Sequence, residues 1–252
     1  MKELILNGLR SATDLLLPRL CIVCGCRLLR HESHICLSCL MDMPLTHFQD
    51  MSHNPMADRF NEMIEKGLED GGERYAYATA LFFYHNEARY RHIPYQIKYH
   101  GNTEAGAFFG KMLGQKMAAG ALWSDIDMII PVPLHWAREW NRGYNQAEVI
   151  AAAIASETRV PLRTDILKRR RRTRTQTRLD IEGKARNVAG AFSVSDDAAV
   201  IFRGGGNVRH ILLVDDVFTT GSTLTACFTA LRTVFPPCVR ISVATLGFVG
   251  GA

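Results

Sequence analysis

The stretch Ile211-Leu-Leu-Val-Asp-Asp-Val-Phe-Thr-Thr-Gly-Ser-Thr223 decides the fold, because it joins an apolar run to two carboxylates and a hydroxyl-rich turn. The run from Ile211 to Val214 is short and bounded by polar residues, which is typical of a central strand in a parallel sheet. We expect this strand to end at Asp215. In open α/β sheets, ligands bind outside the carboxyl ends of the strands, where the next helix begins with free backbone N–H groups. The sequence therefore predicts a ligand site at residues 219–223.

The composition of the turn indicates the kind of ligand. Gly221 permits the left-handed backbone that a phosphate-binding turn needs. Asp215 and Asp216 would repel a phosphate that touched them, so we expect them to accept hydrogen bonds from sugar hydroxyls or to support Mg²⁺. A phosphorylated sugar is the predicted ligand. Hydroxyl donors for its phosphate, beside the positive end of the next helix, are supplied by Thr219, Thr220, Ser222 and Thr223.

A strand that ends in two aspartates also occurs in nucleotide hydrolases, which carry a second motif, GxxxxGK[ST]. That motif is absent from this sequence. Gly106 and Gly110 are one residue too close together, and the correctly spaced pair Gly101 and Gly106 is followed by Ala107. The nucleotide-hydrolase interpretation therefore fails.

The ten residues Val214-Asp-Asp-Val-Phe-Thr-Thr-Gly-Ser-Thr223 resemble the phosphoribosyl diphosphate (PRPP) signature of type I phosphoribosyltransferases. Over nearly its full length the chain resembles the ComF family of competence-associated proteins. The resemblance implies an α/β fold, a type I phosphoribosyltransferase-like parallel sheet flanked by helices, with a small N-terminal zinc-ribbon module. The matching segments are Pro131-Val-Pro-Leu134, Arg142-Gly-Tyr-Asn-Gln146, Gln176-Thr177, Arg186-Asn187, Gly190-Ala-Phe192 and an amino-terminal cysteine module.

The resemblance also implies the roles of individual residues around PRPP. Asp215 and Asp216 would hold the ribose, with Val217 in the same signature, and Thr219 to Thr223 would hold the 5′-phosphate. Lys98 resembles a family position near the sugar phosphate, although a lone lysine equally fits a solvated helix end. The acceptor of the phosphoribosyl group is left open.

A second apolar run, Met128 to Pro131, predicts another buried strand. The turn that follows contains Pro133, and such a turn leaves backbone N–H groups, including that of Val132, free to bind a diphosphate. Arg142 comes next, and its guanidinium group suits a diphosphate or an acidic acceptor. The alternative for this segment is structural, with Asn145 beginning a helix.

Seven cysteines are present, and four of them form two CxxC pairs with eleven residues between the pairs. This spacing favours tetrahedral zinc over disulfides in a chain without an export signal. Zinc would be a structural clip, because so short a segment cannot build a core of its own. The predicted ligands are Cys21, Cys24, Cys36 and Cys39. Second choices are Cys26, His31 and His34.

The segment Lys168 to Arg178 carries seven basic residues in eleven positions. Three interpretations stay open. The run is a solvated charge run, a hood that closes over PRPP and excludes water, or a grip on a nucleic-acid backbone. No aromatic residue is interleaved in it, which weakens a base-stacking platform. The residues concerned in the last two interpretations are Arg169, Arg170, Arg171, Arg172, Arg174 and Gln176.

Composition and length fit this organisation. A chain of 252 residues with 47% hydrophobic residues can bury one large core and carry a small appendage. We expect a helix and zinc ribbon at 1–43, a linker with a short helix near Met56 to Lys66 at 44–74, and the phosphoribosyltransferase-like domain at 75–252. The net charge of +5 favours anionic ligands. No segment has the apolar length to span a bilayer, and a cytoplasmic location is expected.

Strands and helices follow from periodicity along the rest of the domain. The run from Tyr75 to Tyr84 predicts a strand, and Tyr90 to Tyr99 and Ala105 to Ala119 predict two helices. At the amino terminus, Met1 to Leu20 predicts an amphipathic helix, because polar residues interrupt any signal-peptide core.

Two functions of different classes result. In the first, the protein is a Mg²⁺-dependent phosphoribosyltransferase that displaces diphosphate from C1 of PRPP in favour of an unknown acceptor. In the second, it is a non-catalytic PRPP-fold module that binds single-stranded DNA or DNA-uptake proteins. The sequence does not indicate an oligomeric state.

Overall fold

The computed structural model describes residues 18–66, 72–85, 89–170, 190–196 and 208–250. Within these ranges, one four-stranded sheet has the order β1-β6-β5-β2 and every pair in it is parallel. A separate antiparallel pair is formed by β3 and β4. The strands are β1 (Ala78–Phe83), β2 (Met128–Pro131), β3 (Leu167–Arg169), β4 (Phe192–Val194), β5 (His210–Phe218) and β6 (Arg240–Phe248).

Helices cover both faces of the parallel sheet, so the core has two apolar layers. One layer packs Phe60 and Phe228 against the sheet. The other packs Phe109 and Ile150 against the opposite face. The predicted α/β fold with a helix-flanked parallel sheet is therefore confirmed. The described helices are α1 (Leu37–Met41), α2 (Pro55–Glu65), α3 (His92–Tyr99), α4 (Thr103–Ala119), α5 (Trp136–Arg142), α6 (Gln146–Thr158) and α7 (Ser222–Arg232), with 3₁₀ turns at Phe48–Asp50, Arg89–Arg91 and Ala121–Trp123.

Two glycines let α4 and α6 pack at very short range. A Cβ atom on Gly110 would lie 2.9 Å from the carbonyl oxygen of Ile150, and one on Gly114 would lie 3.0 Å from Cα of Ile154. Residues larger than glycine would force the helices apart. This packing fixes α6, and with it Asn145, whose side chain caps the helix by accepting from the Ala147 N–H.

The predicted end of the central strand is wrong, because β5 continues past Asp215 to Phe218. The extension pairs Val217 with Gly247 and Phe218 with Phe248 on β6. A neighbouring strand of the same length thus supplies hydrogen bonds beyond the apolar run. The consequence is that Asp215 and Asp216 lie inside a strand, where their side chains point to opposite faces.

The predicted short helix near Met56 to Lys66 is present as α2, and it packs on the sheet. Phe60 and Ile64 are buried. The Asn61 side chain donates to the Ala76 carbonyl and accepts from the Ala76 N–H, both at 2.9 Å. These contacts tie α2 to the main core, while the three-part division of the chain stays a prediction. Of the helix predicted from Met1 to Leu20, only 18–20 lie within the described residues.

Among the described residues, none of the helices combines the length and the apolar character needed to cross a membrane.

Candidate ligand site at the carboxyl edge of the sheet

The carboxyl ends of β2 and β5 bring four of the predicted site residues together. Pro131 pairs with Val214, and the Val132 N–H donates to the Val214 carbonyl at 2.8 Å. The prediction that this N–H is free to bind a diphosphate is therefore wrong, because β2 and β5 stay paired through Val132. Asp215 and Asp216 follow directly on β5. From α3, the Lys98 ammonium reaches to 3.0 Å from Oδ2 of Asp216. Lys98 therefore pairs with a carboxylate in this structure.

The two aspartates differ in their surroundings. Burial and the neighbouring charge of Asp216 raise the pKa of Asp215 to about 7, although Lys98 and Arg169 oppose the shift. Burial works against the charge on Lys98, but Asp216 and Asp215 outweigh it and raise the pKa of Lys98. The pair thus holds more negative charge than the protein neutralises, which suits a ligand that brings hydroxyl donors or a cation.

The turn after β5 has the conformation that the sequence predicted. Gly221 has φ 81° and precedes the first residue of α7. A Cβ there would lie 2.8 Å from both Sδ of Met63 and Cζ of Phe218, so only glycine fits. The Thr220 and Ser222 hydroxyls are 2.9 Å apart and hydrogen bonded. Within the described residues no side chain caps α7, so its first-turn N–H groups are available to an anion.

A basic cavity of about 390 Å³ opens between α3 and α5. Arg142 lies with its guanidinium carbon 5.7 Å from the centre of the Tyr99 ring, and it donates a short hydrogen bond to Oε1 of Gln146. The structure thus places the predicted Arg142 and Lys98 in one cavity. Its lining residues are Lys98, Tyr99, Gly101, Arg138, Asn141 and Arg142.

Helix α5 carries two further features that the sequence reasoning missed. Trp136 and Trp140 are 72% and 86% exposed. They lie one turn apart on the helix, and Arg138 and Arg142 lie one turn apart on the opposite face. The signal in the sequence was the i, i+4 repetition in Trp136-Ala-Arg-Glu-Trp-Asn-Arg142. It indicates an exposed helix whose indole and guanidinium groups form separate stripes.

The beginning of the basic segment is ordered. Arg169 belongs to β3, pairs with Phe192 of β4 and lies 5.1 Å from the centre of the Phe192 ring. Burial lowers the pKa of Arg169, and Arg170 donates its N–H to the Ala191 carbonyl at 2.9 Å. Backbone pairing with the segment Gly190-Ala-Phe192 thus fixes the position of Arg169 and Arg170. The other predicted residues, Arg171, Arg172, Arg174 and Gln176, lie outside the described residues.

Cysteine thiols converge near the amino terminus. The sulfur atoms of Cys21, Cys24, Cys26 and Cys36 all lie within 4.8 Å of one another, and those of Cys24 and Cys36 are 3.7 Å apart. Zn–S bonds of about 2.3 Å in a tetrahedron put sulfurs about 3.8 Å apart, so the cluster can hold zinc.

The four clustered sulfurs include Cys26, a second choice in the sequence, where the predicted set contains Cys39. The predicted ligand set of Cys21, Cys24, Cys36 and Cys39 stays a prediction. Cys39 is nevertheless adjacent, because its N–H donates to the Cys36 sulfur at 3.5 Å. Burial, followed by hydrogen bonds with Cys24 and Cys36, raises the pKa of the Cys39 thiol. Five thiols therefore lie close enough together to compete as ligands of one metal ion.

A His210 hydrogen-bond chain lies at the amino edge of the sheet, opposite the ligand site. The His210 ring contacts Asp125 Oδ1 through Nδ1 and Ser242 Oγ through Nε2, both at 2.7 Å. This order of groups occurs in hydrolases, but Ser242 and His210 are fully buried. No substrate can reach the hydroxyl, so the chain braces β5 and β6 instead.

The fold and the site together define a class of protein. It is an α/β protein whose parallel sheet carries a carboxylate pair, a hydroxyl-rich turn and a basic cavity at its carboxyl edge, and which has a potential zinc cluster before the sheet.

Comparisons with known proteins narrow this class. No family model matches the chain. The chain is 38% identical over 106 residues to Competence protein F of Haemophilus influenzae, which is 42% of this chain and 44% of that protein. It is 29% identical to DNA utilization protein YhgH of Salmonella typhi and 28% identical to that of Escherichia coli strain K12. Each of these two matches extends over 135 residues, which is 52% of this chain and 56% of the relative. The chain spans about half the length of these relatives. The resemblance to the ComF family is confirmed by these similarities.

Proposed function

We propose that this protein binds PRPP, or a related phosphoribosyl ligand, at the carboxyl edge of its sheet, and that it serves the uptake or use of DNA. The observation that supports the ligand is the convergence of Asp215, Asp216, the Gly221 turn and the basic cavity at one edge. The role in DNA uptake or use is supported by the similarity to proteins named for competence and DNA utilization.

In this proposal each part of the ligand meets a group of matching chemistry. The 5′-phosphate binds the hydroxyls of 219–223 and the N–H groups at the start of α7. Asp215 and Asp216 accept hydrogen bonds from the ribose hydroxyls. Lys98, Arg138 and Arg142 line the basic cavity and neutralise the diphosphate.

Mg²⁺ fits the site through Asp215 more readily than through Asp216. Oδ2 of Asp216 already contacts the Lys98 ammonium, whereas the Asp215 carboxylate is destabilised by burial and by its neighbour. Mg²⁺ prefers carboxylates together with substrate phosphates. When bound it would offset the charge of the departing diphosphate, while Arg138 and Arg142 hold that group in place.

The activity proposed at this site is phosphoribosyl transfer. Displacement of diphosphate from C1 needs positioning and charge stabilisation more than it needs a nucleophilic side chain. The carboxyl edge offers cations and oriented N–H groups within one small region. This is the chemistry that a transferase acting on PRPP requires.

A thermal shift experiment tests the ligand. Zinc-loaded protein is heated with Mg²⁺ and increasing PRPP, beside an Asp215→Ala, Asp216→Ala variant and an Asp127→Asn control, whose carboxylate accepts from the Arg209 and His210 N–H groups at the opposite edge of the sheet. Ligand at about a hundred times its Kd stabilises by roughly 2.7 kcal/mol, which raises the Tm by a few degrees. The wild type and the control should shift and the double variant should not. Equal shifts in all three proteins would contradict the site, and no shift in any would contradict PRPP as the ligand.

A second candidate function is binding of single-stranded DNA, and the exposed surface of α5 favours it. Trp136 and Trp140 stand in solvent on one face of α5, and Tyr99 is 63% exposed in the lining of the basic cavity, where Arg138 and Arg142 of the opposite face also lie. Exposed aromatic rings bind unpaired bases by stacking, and arginines bind backbone phosphates by charge. Base stacking contributes about 1–3 kcal/mol for each base.

Fluorescence anisotropy of a labelled thymidine oligonucleotide tests this second function. Trp140→Ala should weaken binding about tenfold or more, whereas Trp140→Phe, which keeps an aromatic ring, should weaken it less. Affinity should also fall steeply as salt increases. If Trp140→Ala and Trp140→Phe bind like the wild type at every salt concentration, the surface of α5 does not stack bases.

A further inference from the structure

The cysteine cluster holds one thiol more than a tetrahedral zinc site uses. Structural zinc takes four ligands, whereas five thiols lie close together here, those of Cys21, Cys24, Cys26, Cys36 and Cys39. Whichever four bind zinc, one thiol is left beside the metal-bound sulfurs. Disulfides form from this arrangement, because a sulfur that has been oxidised at one residue is attacked by the nearest remaining thiol.

Exposure divides the five thiols into two groups. Cys24 and Cys26 are exposed, whereas the other three cysteines of the cluster are buried. An oxidant dissolved in water therefore reaches Cys24 and Cys26 first, since susceptibility to oxidation follows access and thiolate character. The same two residues are separated in the chain only by Gly25. They are thus the pair in the cluster that is open to oxidation.

The turn around Gly25 brings the two exposed sulfurs together. Gly25 has φ 74°. Two backbone hydrogen bonds of 2.8 Å close the turn, one from the Gly25 N–H to the Cys21 carbonyl and one from the Cys21 N–H to the Cys26 carbonyl. The Cys24 sulfur accepts hydrogen bonds from the backbone N–H and the thiol of Cys26, and the two sulfurs lie within 4.8 Å of each other.

A disulfide between Cys24 and Cys26 needs only a local change. The sulfurs must close to about 2.05 Å, with the Cα atoms about 4.4–6.8 Å apart. Residues two apart in a chain are separated by at most about 7 Å, so a bent turn meets this condition. A Cβ built on Gly25 would meet nothing within 4 Å among the described residues, so the turn has room to move. A buried sulfur is held more firmly, as that of Cys21 is by the Cys36 N–H at 3.4 Å.

We propose that Cys24 and Cys26 form a reversible disulfide when the protein meets a peroxide, and that this bond expels zinc from the cluster. The Cys24 thiolate attacks hydrogen peroxide, so that an S–O bond forms, the O–O bond breaks and hydroxide leaves a sulfenic acid behind. The Cys26 thiol then attacks the Cys24 sulfur, which forms the S–S bond, breaks the S–O bond and releases water. The two sulfurs lose two electrons, which the peroxide gains, and the products are the disulfide, water and hydroxide.

The disulfide removes Cys24 from the metal, because only a thiolate is a good ligand for zinc. Of the five thiols three are then left, fewer than the four ligands of a structural site. The ordered cluster is also attached to the main domain, since the Cys39 carbonyl accepts from the Tyr90 hydroxyl at 2.8 Å, just before α3. Loss of zinc should therefore lower the Tm of the protein.

The test uses the full chain, loaded with one zinc ion and treated with hydrogen peroxide. A chromophoric chelator records the release of zinc, and the remaining thiols are then alkylated before digestion with trypsin. Cleavage after Arg19 and Arg27 separates the first three cysteines of the cluster from the last two. A bond between Cys24 and Cys26 therefore stays inside one peptide, whereas a bond to either of the last two cysteines links two peptides.

We expect zinc release to keep pace with oxidation of the peptide from Leu20 to Arg27, which should become lighter by two hydrogen atoms and carry its alkyl group on Cys21. Cys26→Ser, which lacks the second sulfur, should release zinc about tenfold more slowly. Cys238→Ser, which removes an exposed cysteine outside the cluster, should behave like the wild type. A thiol reductant and fresh zinc should restore the original Tm of the oxidised protein.

Distinct results overturn this inference. A disulfide that links the two tryptic peptides would assign the bond to another pair of sulfurs. Equal rates of zinc release in Cys26→Ser and the wild type would show that Cys26 takes no part. Zinc retained under peroxide that oxidises Cys238 would show that the cluster does not respond to the oxidant. If Cys26→Ser loses its zinc before peroxide is added, the peptide map of the wild type decides alone.

Discussion

The Lys98 ammonium lies 3.0 Å from Oδ2 of Asp216, whose side chain is only 5% exposed, and so α3 is tied by charge to the centre of the sheet. Removal of one partner from such a pair leaves an uncompensated charge. Lys98→Met should therefore lower the free energy of unfolding by about 2–3 kcal/mol, somewhat below the value for a fully buried pair. Urea denaturation measures this change.

A second pair provides the matched control. Lys111 lies 3.4 Å from Glu157, but its side chain is 59% exposed. Lys111→Met should cost less than about 1 kcal/mol. Similar losses in the two variants would show that the Lys98 pair is no more important to folding than a surface ion pair.

Substitution of Gly221 by any other residue should destabilise the protein, for two separable reasons. Gly221 and Gly143 both have φ 81°, which costs an L-residue about 1–2 kcal/mol. A Cβ at Gly143 would meet nothing within 4 Å, whereas one at Gly221 would collide with Met63 and Phe218 at 2.8 Å. Gly221→Ala should therefore cost about 1–3 kcal/mol more than Gly143→Ala, the usual range for overpacking. Thermal or urea denaturation of both variants measures the difference, and equal losses would mean that the turn relaxes around a methyl group.

The cysteine cluster should bind one zinc ion for each chain, and the Tm of the protein should depend on that ion. Cys36→Ser should abolish stoichiometric zinc, since Cys36 belongs both to the predicted set and to the four sulfurs that lie within 4.8 Å of one another. Cys238→Ser, at an exposed cysteine far along the chain, should retain it. Zinc content after gel filtration measures this, and a strong chelator should lower the Tm of the wild type.

Two more variants decide the fourth ligand. The CxxC spacing predicts that Cys39→Ser loses zinc and that Cys26→Ser retains it. The reverse result would assign the ligand to Cys26, whose sulfur lies in the closest group. Retention of zinc in all of the cysteine variants would contradict a metal site in this cluster.

Local patterns in the sequence predicted local structure well. The bounds of β2 match the predicted strand from Met128 to Pro131, and Asn145 caps α6 as its side-chain chemistry requires. The turn with Gly221 at a positive φ was likewise predictable, because few other residues adopt that backbone. Each of these features depends on residues that are neighbours in the chain.

Features that depend on distant segments were not predictable in the same way. The end of β5 depends on the length of β6, and so the strand runs three residues beyond Asp215 to Phe218. The partner of Lys98 depends on how α3 crosses the sheet edge. Whether Cys26 or Cys39 lies nearer the other thiols depends on the fold of the loop between the CxxC pairs. A single sequence contains no direct signal for such distances.

Asp215 should make the protein less stable as the pH rises. Its pKa of about 7 is above the ordinary value near 4, because burial and Asp216 disfavour its charge. The folded state therefore binds this proton more tightly than the unfolded state, and the contribution to stability falls between about pH 4 and pH 7. Asp215→Asn removes the effect, so its advantage over the wild type should grow by about 1–2 kcal/mol from pH 5.5 to pH 8.

The control for this pH dependence is Asp165, whose pKa is shifted in the opposite direction. A hydrogen bond from Arg163 lowers the pKa of Asp165, so Asp165 is ionised in both states above pH 5.5 and Asp165→Asn should show almost no pH-dependent difference there. Urea denaturation of the three proteins at both pH values measures these effects. A difference between Asp215→Asn and the wild type that stays constant with pH would show that Asp215 is already ionised at pH 5.5. Lys98 and Arg169 would then fully offset burial and the charge of Asp216, and the pair would not need a ribose or a magnesium ion to stabilise its charge.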